Sequence, residues 1–72
     1  MPYKDCWVIV HKRRSGTQEQ ILRQRASAVL VYEAMLRHML EACVEPTMLV
    51  LYRYEADGER ALVTRTLVRR RL

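Results

Sequence analysis

Arginine sets most of the chemistry open to this chain. Lys12, Arg13 and Arg14 form one cluster and Arg65, Arg69, Arg70 and Arg71 another, together seven of the thirteen Lys and Arg residues. No acid follows Glu59, so the last thirteen residues carry five arginines. Guanidinium groups bind phosphate and carboxylate with paired hydrogen bonds. The clusters therefore suit an anionic partner, either a nucleic-acid backbone or an acidic protein surface. A charged edge strand that resists aggregation would use the same residues.

Tyr52 and Tyr54 stand two positions apart, which on a strand puts them on one face. Arg65 and Arg69 share that face in the pairing expected below. Aromatics interleaved with arginine can stack bases, and Tyr and Arg also mark protein interfaces. The candidate binding residues are thus Lys12, Arg13, Arg14, Tyr52, Tyr54, Arg65, Arg69, Arg70 and Arg71. The segment from Lys12 to Thr17 also reads as a loop opening onto a helix N-terminus, a setting that suits anions. It lacks the second glycine and the closing Lys-Ser/Thr of a phosphate-binding loop.

Other chemistry finds little footing. Cys6, His11, His38 and Cys43 invite a zinc reading, but no C-x2-C or H-x3-H spacing exists. On a strand, Cys6 and His11 point to opposite faces, which also rules them out as a nucleophile and base. Neither G-x-S-x-G nor H-E-x-x-H occurs. The expectation is a non-catalytic protein with no cofactor and no metal.

These residues must be positioned by a very small fold. The chain has 72 residues, 50% hydrophobic and 29% charged, with a net charge of +5 and a pI near 9.8. That is one domain, 1–72, with enough apolar content to fold and too few residues for two cores. No charge-free apolar run approaches the roughly 20 residues that span a bilayer, and no leader pattern opens the sequence. A cytoplasmic protein with reduced cysteines is expected.

Tyr3 to Lys12 carries β-formers on both alternating faces, Cys6/Val8/Val10 on one and Trp7/Ile9 on the other, and reads as a strand buried on both sides. Ser15-Gly16-Thr17 reads as a turn, with Thr17 and Gln20 as a capping box. A helix is expected over about 18–43, with Glu33 and Arg37 as an i,i+4 pair, ended by Pro46. A hairpin follows over about 47–69, turning at Asp57-Gly58 in a two-residue turn that pairs Glu55 with Arg60 and Tyr54 with Ala61. A basic tail occupies 69–72.

The expected fold is α+β: a small β-α-β-β domain, its three-stranded sheet carrying one long helix on one face. The helix joining the first two strands implies a right-handed crossover between parallel strands. Such a helix would be about 39 Å long and overhang strands of about 30 Å. One helix also cannot cover both apolar sheet faces, so a homodimer is expected. Function is then read as a small interaction protein, an inhibitor or adaptor of the kind phages and mobile elements carry. It would bind a protein or nucleoprotein target through its Arg/Tyr surface. The alternative is a nucleic-acid-binding accessory protein that grips phosphates with its basic clusters.

Overall fold

The computed structural model describes residues 5–42 and 45–69. Its elements are β1 (Trp7–Arg13), β2 (Gly16–Leu22), α1 (Arg25–Ala42), β3 (Thr47–Tyr54) and β4 (Arg60–Val68). The strands form one sheet in the order β2-β1-β3-β4, antiparallel at every step. The α+β class and the single helix on one face are as expected. The sheet has four strands where three were expected.

The extra strand is β2. Gly16–Leu22, expected from sequence to be the end of a turn and the first residues of the helix, pairs along its whole length with β1, from Arg13↔Gly16 to Trp7↔Leu22. The capping-box pattern at Thr17 and Gln20 is real in the sequence but lies within a strand. The hairpin turns on Arg14 and Ser15, which keep negative φ. Gly16, at φ 152, takes up the backbone conformation that lets the chain re-enter the sheet. The helix is consequently 18 residues long, about 27 Å, and the expected overhang disappears.

β2 also changes the topology. It reverses the chain, so β1 and β3 are antiparallel neighbours rather than the parallel pair expected. The helix instead connects β2 to β3, which run in the same direction with β1 between them.

The β3–β4 hairpin turns at the expected place with a different register. The Gly58 amide donates to the Glu55 carbonyl at 2.9 Å and the Glu55 amide to the Glu59 carbonyl at 2.8 Å. With Gly58 at φ 88, this is a type I turn closed by a left-handed glycine, a three-residue loop rather than the two-residue one expected. Tyr54 therefore faces Arg60, and Tyr52 faces Leu62. A register shift at Leu51/Tyr52 leaves Val63 unpaired and brings Leu51 opposite Thr64.

The sheet has a core on each face. Against α1 lie Ile9, Leu49, Leu51 and Val68, packed on Ala28, Tyr32 and Met39 of the helix. On the other face Cys6, Val8, Val10, Val50 and Tyr54 form a second cluster, flanked by Met48 and Tyr52. The alternation read in β1 is thus borne out: both faces of this central strand are buried. The longer turn sets Leu62 opposite Tyr52, on the face away from the helix, where it is 57% exposed. Cys6 is a buried free thiol; Cys43 lies outside the described residues.

One side chain ties helix to sheet. The Tyr32 hydroxyl donates to the Leu49 carbonyl at 3.1 Å and sits 2.9 Å from Thr66 Oγ1. Its single proton is used on Leu49, so Thr66 is the donor of the second bond. Both strands of that half of the sheet, β3 and β4, are thereby fixed to α1. Tyr32→Phe removes both bonds and leaves a buried carbonyl short of a partner. Urea denaturation should show a loss of about 1–2 kcal/mol.

Candidate interaction surface

The β1–β2 turn and the exit of β4 lie at the same end of the sheet. Its last rows are Thr17–Lys12–Met48–Leu67 and Gly16–Arg13–Thr47–Val68. Arg14 in the turn and Arg69 after β4 extend beyond them. Lys12 is on the face away from the helix and Arg13 on the helix face. Arg65, opposite Val50, shares Lys12's face. β1 and β4 are two strand spacings apart, about 10 Å. The structure therefore brings Lys12, Arg13, Arg14, Arg65 and Arg69 together, all exposed. Arg70 and Arg71 lie outside the described residues.

Among the described residues these cations are not neutralised by ion pairs. The pairs Arg53–Asp5 (3.9 Å) and Arg60–Glu19 (2.8 Å) involve none of them. Glu45 stands nearby and accepts a hydrogen bond from Ser15 at 3.1 Å. The opposite end, around the 55–59 turn, mixes Glu55, Asp57 and Glu59 with Arg53 and Arg60. The sheet is thus basic at one end and mixed at the other.

The tyrosines belong to a different construction. Tyr52 and Tyr54 do share the face away from the helix, but Tyr54 is buried and Tyr52 half-buried. The Arg60 guanidinium lies 5.7 Å from the Tyr52 ring centroid and 5.2 Å from that of Tyr54. It donates to the Tyr54 hydroxyl from Nη2 at 2.7 Å and from Nε at 3.0 Å. Its Nη1 reaches Glu19 Oε1 at 2.8 Å. Bonding to the Glu19 carboxylate, then to Tyr54, raises the Arg60 pKa. Glu19 is on β2 and Arg60 on β4, edges that a flat sheet would hold about 14 Å apart. The sheet's twist must bring these corners together over its open face. The expected Glu55–Arg60 cross-strand pair does not form, because the longer turn moves Arg60 opposite Tyr54.

Sequence reasoning weighed His11 only as a metal ligand or base and missed its bond to Thr47. Its Nε2 lies 2.7 Å from Thr47 Oγ1, and Thr47 donates to the Lys12 carbonyl at 3.1 Å. With the Thr47 proton so used, His11 must donate, which fixes hydrogen on Nε2. Burial, and then Arg13, lower its pKa. His11 also borders a groove of about 470 Å³ between β2 and α1, lined by Ile9, Gln18, Gln20 and Met35. A hollow of about 330 Å³ adjoins it at Ala34, Met39 and His38. Nothing in the β-period of Tyr3–Lys12 marks His11 as half-buried, because its cover comes from a helix far along the chain. Among the described residues no group of three His, Cys, Asp or Glu side chains is placed to hold a metal. No helix among them is long and apolar enough to cross a membrane.

The chain matches no protein-family model, no curated protein and no solved structure.

His11 gives a pH signature. A folded-state pKa below the unfolded value near 6.5 favours the neutral ring in the fold. The stability this contributes is complete above pH 6.5 and is lost as pH falls through the lower folded value. Melting temperature should drop across that acidic window, and His11→Gln should flatten the drop.

Proposed function

We propose that this is a small non-catalytic interaction protein, an inhibitor or adaptor that acts as a homodimer. It docks on a protein or nucleoprotein target through the basic end of its sheet. The observation that carries this reading is the side-by-side placement of Lys12, Arg65 and Leu67 on one sheet face. Leu67 is 47% exposed in the row that holds Lys12, and Leu62 is 57% exposed further along β4. Cations alone suit phosphate. Cations bordering exposed leucines suit a protein surface carrying both carboxylates or phosphates and apolar groups.

Tyr52 and Tyr54, taken from sequence as binding residues, support the surface from beneath rather than offering free rings. That weakens base stacking, which needs an accessible aromatic face. The nucleic-acid alternative then reduces to phosphate contacts by Lys12, Arg13, Arg14, Arg65 and Arg69, with Arg70 and Arg71 in the same sequence cluster.

Titration with short single- and double-stranded oligonucleotides separates the two. A purely electrostatic contact loses affinity with a log–log salt slope of about 0.9 for each phosphate neutralised on duplex DNA. Binding should be weak and erased at physiological salt. Tight binding that persists there, with a slope flattened by Arg69→Ala/Arg70→Ala/Arg71→Ala, would put the nucleic-acid reading first. On a protein target, Lys12→Glu/Arg65→Glu should abolish capture while leaving the melting temperature unchanged.

A further inference from the structure

The outward face of α1 carries a pattern that its packing on the sheet does not use. Ala28, Tyr32 and Met39 are the buried residues. On the far side stand Ala26, Leu30, Glu33, Arg37 and Leu40, all exposed, at spacings of four, three, four and three. That is the 3.5-residue period of a coiled-coil seam. Leu30 and Tyr32 are about 200° apart around the helix, and the seam as a whole faces away from the sheet. Leu30 is 67% and Leu40 65% exposed, the highest values among the large hydrophobic residues. Glu33 and Arg37, expected to pair with each other, are in no ion pair among the described residues.

We infer that this seam is the interface with a second copy of the chain, the two helices crossing antiparallel. Its charges are complementary to themselves in that orientation alone. Antiparallel pairing places Leu30 against the partner's Leu40 and Glu33 against the partner's Arg37, and the twofold axis repeats both contacts. Parallel pairing would set Glu33 against Glu33 and Arg37 against Arg37, two like-charge layers. The seam also lies on the layer opposite the sheet's open face, so pairing leaves Lys12, Arg65 and Leu67 free on both copies. The inference rests on the homodimer in the proposed function and gives it a face and an orientation. A single pair of helices of about 27 Å buries less than the roughly 1,600 Å² of a standard interface, so association should be in the micromolar range.

Sedimentation equilibrium from about 10 to 500 μM tests this, with melting temperatures confirming that each surface variant folds. The wild type should show concentration-dependent dimers. Leu30→Asn/Leu40→Asn should weaken them at least tenfold. Glu33→Arg alone should weaken them about tenfold, and Glu33→Arg/Arg37→Glu should restore wild-type association. Restoration is specific to the antiparallel arrangement, because in a parallel pair neither single reversal adds a repulsion that the wild type lacks. Dimers indifferent to all these changes would overturn the assigned face while leaving the homodimer standing. A chain that stays monomeric over the whole range would overturn both.

Discussion

Arg60 reaches across the sheet because something must cover the face that α1 does not. A four-stranded sheet with one helix has an apolar layer on each side, and no second helix lies among the described residues. Val8, Val10 and Val50 lie on the uncovered face, yet each is at most 2% exposed. The cover is made by the sheet itself. Its twist brings the start of β4 toward β2, and Arg60 closes the gap over Tyr52 and Tyr54 onto Glu19. An exposed ion pair contributes little by itself. Here the same guanidinium also lies over two aromatic rings, and its aliphatic stem adds apolar cover.

This closure sorts the surface residues into two groups. Arg60, Tyr52 and Tyr54 hold the fold. Lys12, Arg13, Arg14, Arg65 and Arg69, at the other end, are held by no ion pair among the described residues. In composition they are alike, all part of one arginine- and tyrosine-rich chain. What separates them is the register of β4, which the glycine-closed turn shifts by one residue over Arg60 to Leu62 and the unpaired Val63 restores from Thr64 onward. One residue's shift carries Arg60 from Glu55 to Tyr54 and Leu62 from the helix side to the open side.

Much of this was legible in the residues. The double-sided burial of β1 follows from Trp7/Ile9 and Val8/Val10, and the helix from Arg25 onward from its apolar spacing. Gly16–Leu22 was not legible. Its seven residues carry one charge and a capping-box pattern, and only pairing with β1 makes them a strand. The hairpin turn shows the same limit. Asp57-Gly58 marks a turn, but a two-residue and a three-residue loop both accept a glycine there, and only the tertiary register chooses. The basic clusters were legible as clusters. Their convergence at one end depends on β2, which turns Arg14 back toward the exit of β4. The structural duty of Tyr54 depends on a contact with Arg60 that no local rule supplies.

The closure of the open face by Arg60 and Glu19 is best tested by a double-mutant cycle, combining Arg60→Ala and Glu19→Ala with urea denaturation and amide exchange. The account predicts a coupling of about 0.5–1 kcal/mol between the two changes. It also predicts faster exchange at Val8, Val10 and Val50 in Arg60→Ala. Strictly additive losses, with the protection of those three amides unchanged, would contradict it.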